Sequence, residues 1–375
     1  MKLPPFALER FFAQHEFSAR HLLCASDCES MTVAELLSLE PGAQERLAAL
    51  RLGYTESPGS PTLREAISRL YSSVRPDEVL VTSGAEEAIY VFMHAALSPG
   101  DAVVVHQPCY QSLAEVARSA GCRVVPWTAR EEDGWALDPA ELHALVDAAR
   151  TRTEGVRTIV LNCPHNPTGW LMDRAGFEEV VRLADERGAV LFSDEVYRGL
   201  ERSPADRLPA AADLSSSAVS LGVLSKTYGL PGLRIGWVAT RNAEVRRRMA
   251  ELKDYTTICS SAPSELLAEV ALRHAEELSA RSRRTIDANL TLLDGTFSRR
   301  SAVLSWKRPV AGPVAFPRLL GGDLSELCRR ALQEEGVLIA PGGLFGAAGA
   351  YFRIGFGRSS MPAALQGFER VLDRQ

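Results

Sequence analysis

The sequence predicts an α/β protein, with a large domain built on a mostly parallel seven-stranded sheet between helices and a smaller α+β domain beside it. Three observations carry that reading. Short β-branched runs alternate with amphipathic helical stretches through the middle of the chain. Several runs are apolar throughout, as strands buried on both faces are. After about Pro263 the alternation gives way to long helical stretches and a mixed tail. Length agrees, since 375 residues exceed one ordinary domain.

Taken in order, the first forty residues hold helical stretches at Leu8 to Phe17 and Val33 to Leu39 but no strand of the sheet, and are expected to join the small domain. The seven strands are expected at Val79 to Thr82, Ala102 to His106, Arg123 to Trp127, Thr158 to Asn162, Ala189 to Asp194, Ala218 to Ser225 and Gly236 to Thr240. Helices follow at Glu265 to Ala280 and Arg281 to Ser298, then candidate strands at Val314 to Phe316 and Tyr351 to Ile354. The expected division is 41–265 for the large domain and 1–40 with 266–375 for the small one.

Composition narrows the function. Hydrophobic residues at 46% and charged residues at 24% exclude a disordered or collagen-like chain. A net charge of -5, from 42 basic and 47 acidic side chains, gives no reason to seek nucleic acid or anionic lipid. The seven cysteines (Cys24, Cys28, Cys109, Cys122, Cys163, Cys259, Cys328) form no C-x-x-C pair and have no histidine at ligand spacing, which argues against a disulfide framework or a zinc site. Charges at Glu9, Arg10 and Glu16 interrupt the apolar start, and no run reaches membrane-span length, so a cytoplasmic protein is expected.

In an open parallel sheet, ligands bind beyond the carboxyl ends of the strands, so the residues that follow each strand are informative. Val79 to Thr82 runs into Ser83-Gly84-Ala85 and then a helix, a seat for an anion. Thr158 to Asn162 runs into Cys163-Pro164-His165-Asn166-Pro167-Thr168-Gly169, a turn stiffened by two prolines that aims Asn166 at the crevice; an ordinary Asn-Pro turn has the same signature. The apolar run at Ala189 ends in Asp194-Glu195-Val196-Tyr197, a carboxylate in need of a cation. The run at Ala218 ends in Ser225-Lys226 and continues to Arg234. A lysine after a buried strand is unusual, because desolvation lowers its pKa and favours the neutral, nucleophilic amine.

A Schiff-base lysine, a buried carboxylate, a phosphate seat and an arginine eight residues beyond the lysine match the needs of pyridoxal phosphate. From about Gly53 to Arg358 the sequence resembles the class I/II, fold-type-I aminotransferases of the aspartate aminotransferase superfamily. The resemblance implies that Lys226 binds the cofactor aldehyde and shuttles the substrate proton, and that Asp194 pairs with the ring nitrogen. It implies that Tyr197 and Asn166 hydrogen-bond the phenolic oxygen, and that Tyr110 stacks on the ring. The phosphate falls to the N–H groups of Ser83, Gly84 and Ala85, to Ser225 and to Arg234. Arg353, with Asn166, grips the substrate α-carboxylate, and Tyr54 reaches the neighbouring subunit's site, which makes the enzyme a homodimer. Val223 stands where the family commonly has a serine, which removes one phosphate hydroxyl.

The activity implied is ping-pong transfer of an amino group between an L-amino acid and a 2-oxo acid. A lyase, decarboxylase or cyclase outcome on the same scaffold is the alternative. The segment Cys24 to Met31 is similar to that of enzymes of the capreomycidine-synthase type, which cyclise an arginine derivative. On that resemblance Asp27 or Glu29 reads a basic side chain, whereas by residue type both suit turns and caps. A non-catalytic sensor module is less favoured, since Lys226, Asp194, Arg234 and Arg353 are all retained and no separate N-terminal helix-turn-helix fits before Gly53. A nicotinamide dehydrogenase lacks its G-x-G-x-x-G.

Overall fold

The computed structural model describes residues 3–149 and 155–374. Seven strands form the central sheet: β1 (Val79–Thr82), β2 (Ala102–Gln107), β3 (Arg123–Thr128), β4 (Val156–Asn162), β5 (Val190–Asp194), β6 (Val219–Val223) and β7 (Gly236–Ala239). Their order across the sheet is β1-β7-β6-β5-β4-β2-β3. β7 runs antiparallel to both neighbours and the remaining pairs are parallel. The start of β7 therefore lies at the same edge as the ends of β1, β4, β5 and β6. Register fixes the neighbours there: Asn162 faces Asp194, and Gly236 faces both Val223 and Thr82.

The apolar runs are strands with both faces covered. On β4, Ile159 and Leu161 enter one core with Leu191 and Phe177, while Val160 between them enters the opposite core with Phe192 and Phe92. β3 is the exception. Arg123 and Pro126 are exposed and Val124 and Val125 half-buried, the strand occupies the sheet edge, and Pro126 is tolerated there because no further strand needs its missing N–H.

Helix α1 (Ala7–His15) precedes the sheet, and α2 (Gly84–Ala96) springs directly from β1. The long helices after the sheet are α3 (Ala262–Arg273) and α4 (Ala275–Arg299). The sequence placed their junction at Ala280 and Arg281, but the break is at His274, which leaves the helical conformation (φ -109°, ψ 25°), and Ala280 and Arg281 lie within α4. The domain division expected after residue 265 falls inside α3, whose Leu267, Val270 and Ala271 pack with Leu63 and Trp237 beside the sheet. Packing partners change along α4: Leu278 belongs to that cluster, and Ile286, Leu290 and Leu293 belong with Phe352 and Phe368.

The smaller α+β part holds a three-stranded antiparallel sheet centred on Phe352–Gly355, with the helices Leu324–Glu335 and Met361–Leu372. The N-terminal segment joins it. His21–Leu22 pairs in parallel with Val337–Leu338, and Leu23 and Cys28 enter its core. Farther on, Leu36 and Leu37 pack instead with Leu63 and Trp237. Among the described residues no helix is long and apolar enough to cross a membrane.

Candidate active site

The strand ends assemble the site. Asp194 closes β5 and is 5% exposed; its carboxylate accepts the Val196 N–H at 3.2 Å. Burial pushes the carboxyl up to about 7, with the Val196 N–H and the positive charge of Lys226 acting against that shift. Across from it, Asn162 donates from Nδ2 to the Asp194 carbonyl at 3.1 Å and accepts the Asn166 N–H on Oδ1 at 2.7 Å. Asn162 thus ties the proline-rich turn to β5. The strand pattern marked it as a terminus, but nothing in that pattern assigned it this tie.

Lys226 follows β6 by a short turn and donates from Nζ to Ser26 Oγ at 2.8 Å. Burial lowers the pKa of its amine, opposed most by the Asp27 carboxylate. Tyr197 is fully buried, its phenol pKa raised by desolvation, and its Oη donates to the Ser26 carbonyl at 2.9 Å. Tyr110 Oη donates to Glu9 of α1 at 3.1 Å.

The anion seat is built by close approach. Gly84 opens α2 at φ +78°, and a Cβ there would lie 2.8 Å from Arg234 Nη2. The guanidinium therefore lies directly on the helix N-terminus, adding charge to its N–H groups. Gly236 allows the crossing, since its Cβ would lie 2.6 Å from the Gly84 carbonyl carbon. Arg234 itself holds the left-handed conformation at φ +54°, an uncommon one for a residue with a Cβ. One expectation needs correcting. The Ser83 N–H is taken by the Glu87 carboxylate, which also accepts from the Thr256 and Thr257 hydroxyls. A first-turn carboxylate satisfies that orphan donor, so the seat narrows to Gly84, Ala85, Ser225 and Arg234.

A cavity of about 430 Å³ opens over these groups, lined by Ala85, Tyr110, Asn166, Asp194, Tyr197, Ser225, Lys226 and Arg234, with Val223 as the apolar residue anticipated. Its opposite wall comes from the N-terminus and was not foreseen: Glu9, Phe12 and Glu16 at i, i+3 and i+7 of one helical face, then Ser26. Arg353 departs most from expectation. It is 0% exposed and absent from the wall, donating from Nη1 to Asn166 Oδ1 at 3.1 Å and from Nε and Nη2 to the Cys24 carbonyl. Tyr54 is 93% exposed and does not line its own chain's cavity. Asp27 lines the cavity and accepts two bonds of 2.8 Å from Arg358, which balances its charge, and Glu29 accepts the Ser359 N–H and hydroxyl. A larger cavity of about 690 Å³, between Arg118, Trp135 and Gly346, is lined by the ends of β2 and β3 at Gln107 and Thr128 and by none of Asn166, Asp194, Lys226 or Arg234.

The donor set fits pyridoxal phosphate. An amine, a buried carboxyl in want of a cation, and a helix start overlaid by a guanidinium face one cavity. The family described as aminotransferase class I and II matches residues 22–366. The chain belongs to that family. It is thus a pyridoxal-phosphate-dependent enzyme of the nitrogen-transferring class, with the fold-type-I architecture. A relative, capreomycidine synthase from Streptomyces vinaceus, is 34% identical over 370 residues, covering 94% of this chain and 90% of that one. A solved pyridoxal-phosphate-dependent aminotransferase from Streptococcus suis 89-1591 superposes with a TM-score of 0.92 at 34% identity, covering 100% of this chain and 99% of the other. The pyridoxal-phosphate-dependent cyclase OrfR superposes at 0.90 with 32% identity and the same coverage.

Proposed function

We propose that the chain transfers an amino group from an L-amino acid with a cationic side chain to a 2-oxo acid, in two half-reactions. The observation that carries the chemistry is the convergence of Lys226, Asp194 and Arg234 on one cavity at the sheet edge. Bound there, pyridoxal phosphate supplies an electron sink for the pair left when a substrate bond breaks. Lys226 Nζ takes the α-proton and returns it, its lowered pKa keeping a fraction of the amine neutral. Asp194, ionised, would hold a proton on the ring nitrogen; Asn166 would donate to the phenolic oxygen, Tyr197 would turn to it the one hydroxyl hydrogen that the Ser26 carbonyl takes in the cofactor-free chain, and Tyr110 would cover the ring face. Gly84, Ala85, Ser225 and Arg234 hold the phosphate. Arg353, enclosed behind the cavity wall, acts on the substrate α-carboxylate through Asn166, whose amide it holds by its bond to Oδ1.

The side-chain class follows from charge. Of the cavity cations, Arg234 serves phosphate, Lys226 the chemistry, and Arg358 is neutralised by Asp27. Glu9 and Glu16 remain on the opposite wall, and burial already raises the Glu16 pKa, a cost that a bound cation would offset. A second reading, cyclisation of such a substrate, is favoured by the likeness to capreomycidine synthase across nearly the whole chain and to the cyclase OrfR. Tyr54 and its exposed neighbour Leu52, with Tyr255 and Ile258, suit an interface in which a second copy completes each site, so we propose a homodimer.

The test is a panel of L-amino acids, with pyruvate as acceptor, given to the purified holoenzyme and followed by mass spectrometry. Transamination predicts a 2-oxo acid from arginine or lysine and alanine from pyruvate. A cyclic product without alanine, formed from a panel member whose Cβ hydroxyl is lost as water, selects the second reading. Turnover by Lys226→Ala near the wild-type rate, or none by the wild type with any amino acid, overturns both.

A further inference from the structure

Two groups from the sheet edge converge on one residue of the N-terminal segment. Lys226 Nζ donates to Ser26 Oγ at 2.8 Å, and Tyr197 Oη donates to the Ser26 carbonyl at 2.9 Å. Ser26 and Lys226 are 200 residues apart, so the whole fold makes this meeting.

The segment is clamped on both sides of Ser26. Arg353 donates twice to the Cys24 carbonyl, and Arg358 donates twice to the Asp27 carboxylate. The backbone is pinned as well: the Gly355 N–H donates to the Leu23 carbonyl at 2.6 Å and the Glu29 N–H to the Gly357 carbonyl at 2.8 Å. A Cβ at Gly355 would lie 1.6 Å from the Ala25 oxygen, and one at Gly357 would lie 2.4 Å from that of Asp27. Two arginines and two glycines thus fix residues 24–27 and leave the Ser26 hydroxyl little freedom.

We infer that Ser26 is a positioning residue for Lys226, holding the freed amine so that it stays aimed at the substrate α-carbon. When Lys226 takes the α-proton, the substrate C–H bond breaks with its electron pair left on the substrate, and an N–H bond forms at Nζ. Ser26 Oγ goes on accepting a hydrogen from the resulting ammonium, so the proton returns from a fixed point. The inference rests on the role proposed above for Lys226.

Ser26→Ala and Ser26→Thr holoenzymes, assayed with L-arginine and α-deuterated L-arginine, test it. In Ser26→Ala, kcat is expected to fall roughly tenfold to a hundredfold, with KM nearly unchanged and a larger deuterium effect on turnover. Ser26→Thr, which keeps the hydroxyl, recovers most of the rate. A second readout needs no turnover: in the cofactor-free chain, the pH midpoint for modification of Lys226 by an amine-directed reagent, read by peptide mass spectrometry, falls in Ser26→Ala because the ammonium has lost an acceptor. An unchanged midpoint, a loss confined to KM, or no recovery by threonine overturns the inference. An active Lys226→Ala enzyme instead defeats the proposed function, so the two failures are distinguishable.

Discussion

The two walls of the cavity are made differently. The cofactor wall is continuous sheet edge: Asn162, Asp194, Lys226 and Arg234 lie on or just beyond adjacent strands whose registers fix their spacing. The opposite wall is a helix and a loop from residues 9–27, held by Arg353 and Arg358 from the far end of the chain. Chemistry that every substrate shares belongs on the wall that cannot move. Discrimination belongs on the helix of the second wall, where Glu9, Phe12 and Glu16 can change without disturbing the sheet, while the clamped loop beside it lends Ser26 to Lys226.

Substitutions on the first wall therefore cripple the reaction whatever the substrate. Lys226→Ala is expected to lower kcat by about 10⁴-fold, measured with each amino acid of the panel; a loss restricted to one substrate breaks the comparison. Arg353 joins the walls, so Arg353→Leu has a double effect. It leaves Asn166 Oδ1 and the Cys24 carbonyl without their donor, costing about 3 kcal/mol by denaturant unfolding, and raises KM for all amino acids. Asp27→Asn removes a partly exposed ion pair on the second wall only. A cost of about 1 kcal/mol is expected, with cofactor affinity unchanged by titration. Val223→Ser is the smallest: a hydroxyl at the phosphate seat tightens cofactor binding by about 1 kcal/mol, a few-fold in Kd.

The walls also differed in legibility. Lys226, Asp194 and Asn166 could be read because each follows a mostly apolar, buried strand with a residue type that burial ordinarily disfavours. Nothing comparable marks Glu9, Phe12 and Glu16, since charges and an aromatic on an N-terminal helix are what any surface helix carries. Asp27 and Glu29 drew attention by charge alone, and the structure commits both to Arg358 and Ser359, contacts more than 300 residues away in sequence. Ser26 was passed over because a hydroxyl in a loop acquires meaning only from its partner. The Ser83 N–H was assigned to phosphate because the pattern of a helix start does not say which acceptor arrives first; Glu87 does. The helix break at His274 escaped notice because apolar periodicity continues across it.

The central claim is that the sheet edge is built to meet a cationic ring nitrogen, and Asp194 tests it most directly. Its carboxyl is raised from 3.8 to about 7 by burial, so in the cofactor-free chain the stability associated with this group is fully present below about pH 4 and is lost as pH rises through 7. Asn does not titrate. At pH 8 the cofactor-free Asp194→Asn chain is therefore expected to be more stable than wild type, by up to roughly 4 kcal/mol. With pyridoxal phosphate bound, the ionised carboxylate gains its partner and the order should reverse. Thermal melts of both chains at pH 8, with and without the cofactor, decide the matter. A reversal on cofactor binding supports the account, and the same order in both conditions contradicts it.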